Sequence, residues 1–121
     1  MTITPRTVLT KIRSAGDFYA IVIENDLEGQ TLTGAPTTRL LSWASGEDRS
    51  SHFPDMAPAY AEVSVAGAMR RCIRFWLGAA VGTAQAPGLY AIEAIFETDE
   101  GRKPAGVDAR GNLPQLIVSD V

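Results

Sequence analysis

Apolar and polar side chains alternate most regularly across residues 90–97, within the segment APGLYAIEAIFETDEGR. Because side chains of an extended strand alternate between its two faces, this run predicts one long strand with a single core-facing row. Pro87 and Gly88 suit the two central positions of a type II turn before the strand, and residues 99–101 favour a hairpin turn after it. The predicted core-facing row consists of Tyr90, Ile92, Ala94 and Phe96.

Other segments of the chain also have the composition or the alternation of β-strands. The segment 18–24, FYAIVIE, is apolar on both of its faces, which predicts a strand that is covered on both sides. Pro5 restricts the segment 1–13 to an N-terminal arm or an edge strand, and residues 14–121 are assigned to a single β-sandwich domain. The strand segments predicted besides 90–97 are 1–13, 18–24, 37–44, 60–65, 69–77 and 115–121.

Turn-rich or polar connections separate these strands, the longest of them at 25–36, 45–58 and 103–114. No window carries apolar residues at helical spacing without an interrupting Gly or Pro. Strands without intervening helices cannot form parallel βαβ units, so mainly antiparallel pairing is expected. The fold class is therefore predicted as all-β, an immunoglobulin-like antiparallel β-sandwich of about seven strands, with a small barrel as the alternative.

Composition narrows the classes of function. The 121 residues carry a net charge of −3 and are 45% hydrophobic, which fits one globular domain without a basic nucleic-acid-binding surface. The single cysteine, Cys72, excludes an intramolecular disulfide and is interpreted as a small hydrophobe rather than a reactive thiol. The sequence has neither ~20 continuous apolar residues nor a secretory h-region, so synthesis in the cytoplasm without a signal peptide is expected.

Two groups of polar residues are candidates for chemistry, and each has a simpler explanation. His52, the only histidine, lies near Ser50 and Asp48, but triad partners come from separate elements rather than from sequence neighbours, so a solvated loop histidine is favoured. The alternating acids at 24–28 have the spacing of some calcium loops, but they lack the glycine and distal glutamate of an EF-hand. We therefore predict no catalytic residue, no cofactor and no metal site.

Aromatic and basic side chains point to contacts instead. Trp43 and Trp76 suit the core or a protein–protein interface better than a ligand platform. The arginines of segment 70–74 form the only basic cluster, and they are expected to make cross-strand ion pairs. The expected acceptors are Glu62, Glu93 and Glu97. The candidate interface residues are Trp43, His52, Phe53 and Trp76.

Three segments together resemble the N-terminal immunoglobulin-like domain of phage baseplate upper proteins: GQTLTGAPTTRLLSWASG at 29–46, the segment 86–102 and the closing QLIVSDV. The resemblance rests on a Leu-Thr-Gly-Ala step into a strand, a Pro-Gly-x-Tyr turn, a strand with glutamate and aromatic residues, and an acidic-Gly hairpin. The matching residues are Leu32, Thr33, Gly34, Ala35, Pro87, Gly88, Tyr90, Glu93, Phe96 and Gly101.

The resemblance implies a non-enzymatic structural or adaptor component of a bacteriophage virion, in its tail, baseplate or neck or associated with its head. It implies partners among other virion proteins and copies of the same chain, and no nucleic acid, membrane or small-molecule substrate. We expect the arm 1–13 to leave the domain and grip a neighbour by strand addition. The alternative function is a carbohydrate- or small-ligand-binding β-module that uses Trp43 or Trp76 with the loop 45–58, and a small enzyme built around His52 is a third.

Overall fold

The structure, a computed structural model, describes residues 7–120. Eight strands carry the fold, and two short 3₁₀ turns, Glu24–Asp26 and Ser50–His52, interrupt the connections. Among residues 7–120, no helix is long and apolar enough to cross a membrane. The strands are β1 (Val8–Ile12), β2 (Asp17–Val22), β3 (Leu32–Ser42), β4 (Ala59–Val65), β5 (Ala68–Leu77), β6 (Gly88–Thr98), β7 (Gly101–Pro104) and β8 (Gln115–Ser119).

Two sheets pack face to face as a β-sandwich, which confirms the all-β prediction. The large sheet has the order β1-β8-β6-β3, with β7 also paired to β6, and the small sheet has the order β2-β5-β4. The sequence did not predict β7. This strand begins at the end of the expected hairpin turn 99–101, continues into the expected loop 103–114, and completes a hairpin with β6.

The pairing is mainly antiparallel, as predicted, but one pair of strands is parallel. β1 runs parallel to β8, with Val8 opposite Gln115 and Ile12 opposite Ser119. A parallel pair needs a long crossover rather than a hairpin, and here the rest of the domain supplies that crossover between the first and last strands. The other strand pairs of the described chain are antiparallel.

β6 is the central strand of the large sheet and the main contributor to the core. It pairs along one side with β3 and along the other side with β8 and then β7. Its burial alternates residue by residue, and the four side chains predicted to face the core are all buried. Opposite them lie the inward side chains of the small sheet, chiefly Ile21, Ile73, Phe75 and Leu77.

The prediction that segment 18–24 is covered on both faces is wrong. Tyr19 and Ile21 face the core, whereas Phe18 is 52% exposed and Val22 is 36% exposed. The small sheet has the large sheet on one side and no further layer of described residues on the other, so its outer face stays open even where the sequence is apolar.

β3 begins within the segment expected to be a connection. It starts at Leu32, and its register with β6 shifts between Thr33 and Thr37. Gly34 in this bulge has a φ of +59°, and a Cβ there would collide with the Glu97 carboxylate. Because a bulge accommodates both glycine at positive φ and a proline, residues that favour turns can lie inside a strand.

The β4–β5 hairpin closes through Ala66 and Gly67, whose φ values of 50° and 81° define a type I′ turn. Alanine is strained at positive φ, whereas asparagine tolerates it. We expect Ala66→Asn to raise the free energy of unfolding by about 0.5–1 kcal/mol in a urea titration. Ala44→Asn, at an exposed alanine that lacks a positive φ, is the control, and an unchanged or lower stability for Ala66→Asn would contradict the turn assignment.

A two-point contact ties the end of β2 to β5. The Glu24 carboxylate accepts hydrogen bonds from the Arg71 guanidinium, at 2.6 Å from Nη2, and from the Arg71 backbone N–H at 3.1 Å. These hydrogen bonds, and then the Arg71 charge, hold the pKa of Glu24 below its ordinary value.

This lowered pKa makes stability dependent on pH in a defined direction. The folded chain binds the Glu24 proton less tightly than the unfolded chain, so the stabilisation is present above the unfolded pKa of about 4.3 and is lost as pH falls below it. Glu24→Gln is therefore expected to flatten the pH dependence of the free energy of unfolding in that acidic range, relative to the control Glu100→Gln. Equal slopes for the wild type and Glu24→Gln would show that the contact does not stabilise the fold.

Candidate functional site

The two tryptophans predicted as interface residues lie on different sheets. Trp43 follows β3, is half-buried, and donates its backbone N–H to the carbonyl oxygen of Leu89 at 3.1 Å. Trp76 lies on β5 of the small sheet, opposite Phe18, with the two rings edge to face at 5.0 Å. A stacking platform built from both tryptophans is therefore excluded.

Phe53 is not available to a partner, which corrects its assignment as a candidate interface residue. It is fully buried, and its ring packs edge to face on Tyr90 at 5.6 Å. Phe53 is buried because the turn before it is fixed to β3. Ser50 Oγ accepts a hydrogen bond from the Leu40 N–H at 3.0 Å, and the Arg49 N–H donates to the Leu40 carbonyl oxygen at 2.7 Å. That anchoring draws the following aromatic ring into the core.

His52 is half-buried and held by backbone groups rather than by a catalytic array. Its Nδ1 accepts the backbone N–H of Gln85 at 3.2 Å. Asp48 accepts the Ser50 N–H at 2.8 Å, and hydrogen bonds from Ser50, with the charge of Arg39, lower the pKa of the Asp48 carboxyl. Within residues 7–120 no serine hydroxyl or carboxylate hydrogen-bonds to His52, so the nominal Ser-His-Asp arrangement is not assembled.

Gln85 is the centre of a buried polar cluster that the sequence did not point to. Its side chain is fully buried, and its Oε1 accepts a hydrogen bond from the Lys11 ammonium at 2.7 Å. Its Nε2 donates to the carbonyl oxygens of His52 and Gly78 at 3.0 and 2.9 Å. One amide group therefore joins β1 of the large sheet, the loop after β5 of the small sheet, and the 3₁₀ turn at Ser50–His52.

Arg13 extends this cluster along the loop between β5 and β6. Its Nε donates to the Gln85 carbonyl at 2.9 Å, and its Nη2 donates to the Gly82 and Ala84 carbonyls at 2.8 and 2.7 Å. Lys11 is 3% exposed, and burial, together with the charge of Arg13, lowers the pKa of its ammonium. Carbonyl oxygens and the Gln85 amide satisfy these donors, so the cluster closes one end of the sandwich rather than presenting a reactive group.

The acids that alternate over 24–28 point to different partners. Glu24 binds Arg71, Asp26 accepts the Gly106 N–H at 3.4 Å, and Glu28 lies 3.8 Å from Lys103. Across the described part of the chain, no group of three His, Cys, Asp or Glu side chains is placed to hold a metal ion. The calcium-loop spacing is therefore explained by separate contacts.

The outer face of the large sheet carries several apolar side chains, with the polar residues Thr10, Gln115 and Ser119 among them. Val8, Ile12 and Leu89 are 47%, 45% and 44% exposed. Ile117 on β8 lies between β1 and Leu89 of β6, since it is opposite Thr10 on one side and opposite Leu89 on the other. Leu41 extends the surface across β6 onto β3, where it is opposite Ala91. We call this surface the large-sheet patch, which comprises Val8, Ile12, Leu41, Trp43, Leu89 and Ile117.

The outer face of the small sheet is apolar as well, but it carries charge. Arg74 lies over the Phe18 ring, with its Cζ 3.8 Å from the ring centroid. Cys72 on the same strand is fully buried, and burial raises the pKa of its thiol, in keeping with a packing role. Arg70 is exposed near the other end of the strand. We call this surface the small-sheet face, which comprises Phe18, Val22, Arg70, Arg74 and Trp76, with Cys72 buried beneath it.

The ion pairs expected for the arginines of segment 70–74 do not form as predicted. Arg71 pairs with Glu24, because both reach the same end of the small sheet. Glu93 and Glu97 lie on β6 of the opposite sheet, where they pair with Arg39 at 2.7 Å and with Arg102 at 3.6 Å. Glu62 lies opposite Arg71 on the neighbouring strand β4, as expected, and the Glu24 hydrogen bond together with the charges of Glu24 and Glu62 raises the pKa of Arg71. The prediction failed for Glu93 and Glu97 because β6, although it follows β5 in sequence, belongs to the other sheet.

No protein-family model matches this chain, and no curated protein sequence matches it. The candidate site is therefore described by its geometry alone. That geometry leaves two open surfaces, the large-sheet patch and the small-sheet face, on opposite sides of the sandwich.

Replacing Gln85 by methionine keeps the volume of the side chain and removes its hydrogen bonds. The Lys11 ammonium then loses an acceptor, and two buried carbonyl groups lose their donor. We expect a loss of about 2–4 kcal/mol in the free energy of unfolding, measured by chemical denaturation. Gln115→Met, at a half-buried glutamine on the outer face of the large sheet, is the matched control. Equal effects of the two variants would mean that the cluster does not hold this end of the domain.

Proposed function

We propose that this chain is a non-enzymatic structural or adaptor component of a bacteriophage virion, and that it acts by protein–protein assembly through the large-sheet patch. The observation that carries the proposal is the large-sheet patch itself, in which Val8, Ile12 and Leu89 are exposed and Ile117 and Leu41 are half-buried. Contiguous exposed apolar surface with a polar rim is typical of protein interaction sites. Here Arg39 and Glu93 supply part of such a rim.

We infer further that the sandwich is immunoglobulin-like. When β2 to β6 are given the letters B, C, D, E and F, and β8 the letter G, the small sheet has the order B-E-D and the large sheet contains G-F-C. These are the strand orders of immunoglobulin sandwiches. This agreement in strand order supports the resemblance to the immunoglobulin-like domain of phage baseplate upper proteins. The proposed role in a virion rests on that resemblance.

The mode of assembly proposed here is by the face of a sheet rather than by the N-terminal arm. Val8–Ile12 pair with β8 of the same chain, so this part of the segment 1–13 does not leave the domain, and residues 1–6 lie outside the described residues. The free edge of β1 is also partly blocked, because the Tyr19 hydroxyl donates to the Thr10 carbonyl at 2.9 Å. Blocking an edge in this way opposes strand addition.

Fractionation of the source phage tests the virion proposal. We expect the chain to sediment with purified particles on a density gradient, at a constant ratio to other virion proteins by quantitative mass spectrometry. A chain found only in the soluble fraction of the lysate would overturn the proposal.

A single substitution tests the role of the large-sheet patch. Leu89→Asp places a carboxylate in the middle of the patch, and we expect incorporation into particles to fall by about tenfold or more, because a desolvated interface position tolerates charge poorly. Val81→Asp is the control, since Val81 is 80% exposed but lies in the loop between β5 and β6, outside the patch. Equal incorporation of both variants would remove the patch from the assembly mechanism.

A further inference from the structure

The small-sheet face carries two arginines that form no ion pair with a described carboxylate, although the charge of Arg70 adds to the Arg71 contacts that lower the pKa of Glu24. Arg70 and Arg74 point to the same side of β5 and are four residues apart, about 14 Å along an extended strand. Neither lies within ion-pair distance of an acid among residues 7–120. Lys11 and Arg110 also form no ion pair within residues 7–120, whereas six basic side chains do have acidic partners: Arg13, Arg39, Arg49, Arg71, Arg102 and Lys103.

Between these two arginines the surface is low and apolar. Cys72 lies midway but is fully buried, so the surface there is formed by Val22 and Ala61, its neighbours on β2 and β4. Arg74 has alanines on both sides, and contact with the Phe18 ring holds its guanidinium in place. The small-sheet face thus presents positive charges at two ends and a shallow apolar floor between them.

The opposite face of the same chain carries the complementary row. Glu93, Ile95 and Glu97 alternate on the outer face of β6, so their two carboxylates have the same four-residue spacing as the two arginines. Arg39 bonds through both Nε and Nη2 to Oε1 of Glu93, each at 2.7 Å, which leaves Oε2 available.

The second carboxylate of this row is also able to accept another donor. Glu97 is 40% exposed, and its ion pair with Arg102 is long, at 3.6 Å. A carboxylate has about four acceptor positions, so both glutamates can accept a second guanidinium.

We propose that the small-sheet face of one copy packs on the Glu93–Ile95–Glu97 row of a second copy. The two arginines meet the two glutamates, and Ile95 rests on the surface formed by Val22 and Ala61 between the arginines. Strand layers about 10 Å apart bring such side chains into contact. This inference rests on the proposed function and deepens it, because it names the chain itself as one partner.

The contact joins different surfaces, so it is heterologous and repeats from copy to copy. A heterologous contact closes into a ring or continues as a filament, according to the rotation between copies. Leu89, in the large-sheet patch, is six residues from Ile95 along β6, about 20 Å. This contact therefore does not involve Leu89, and one domain can bind a second copy on one side and a different protein through the large-sheet patch.

Reciprocal charge reversal tests the contact on the purified chain. The measurement is sedimentation velocity over a range of protein concentrations at low salt, where we expect the wild type to form a concentration-dependent series of multimers. The double variants Arg70→Glu/Arg74→Glu and Glu93→Arg/Glu97→Arg each place like charges at the contact, so each is expected to self-associate at least about tenfold more weakly.

An equimolar mixture of the two double variants is the decisive sample. In the mixture, the acidic small-sheet face of one variant meets the basic β6 row of the other variant. The two unchanged surfaces, one from each variant, are also opposite in charge, so we expect multimers to form again. A wild type that stays monomeric at every concentration, or a mixture of folded variants that stays monomeric, would overturn the inference.

Matched controls separate this contact from general charge effects. Arg49→Glu/Arg110→Glu changes the net charge by the same amount away from both surfaces and is expected to leave self-association unchanged. Should the reversal on β6 prevent folding, as judged by circular dichroism, Glu93→Gln/Glu97→Gln replaces it and must weaken self-association. Failure of self-association with normal incorporation into particles would refute this inference alone, whereas absence from particles would refute the proposed function.

Discussion

Burial of every second side chain of β6 is the constraint on which the rest of the structure depends. Tyr90, Ile92 and Phe96 are all nearly or fully inaccessible, and they require an apolar layer opposite them, which β5 and β2 supply. Because the inner row faces the small sheet, the outer row of β6 must face away from the domain. This packing places the half-buried Glu93 and Glu97, and Leu89 of the large-sheet patch, on the outer face of β6.

The ends of the sandwich are closed by polar contacts rather than by apolar ones. At one end Gln85 binds groups from both sheets, which is possible because a primary amide both donates and accepts. His52 and the buried Lys11 both take part in this closure. Of the two open surfaces, the large-sheet patch is apolar, whereas the small-sheet face carries the exposed arginines Arg70 and Arg74.

Local patterns predicted individual strands well and their surroundings less well. The alternation at 90–97 identified β6 and its buried row, because a strand's two faces depend only on the chain itself. The same logic misjudged 18–24, since apolar residues on both faces do not require a second covering layer. It also missed β7 and the bulge at Gly34, where neighbouring strands, rather than residue preferences, decide the conformation.

By itself, the sequence determined the all-β class, the core-facing row of β6 and the hairpin turn after it, because these follow from side-chain alternation and from the φ preferences of glycine. The type II turn predicted at Pro87 and Gly88 does not form, because Gly88 already lies in β6 opposite Val118. Only the tertiary structure decided which strands share a sheet. That choice put the two tryptophans on opposite sides, turned Phe53 inward, and separated Glu93 and Glu97 from the arginines of β5. The physical reason is that sheet partners are selected by contacts between distant segments, which no local pattern contains.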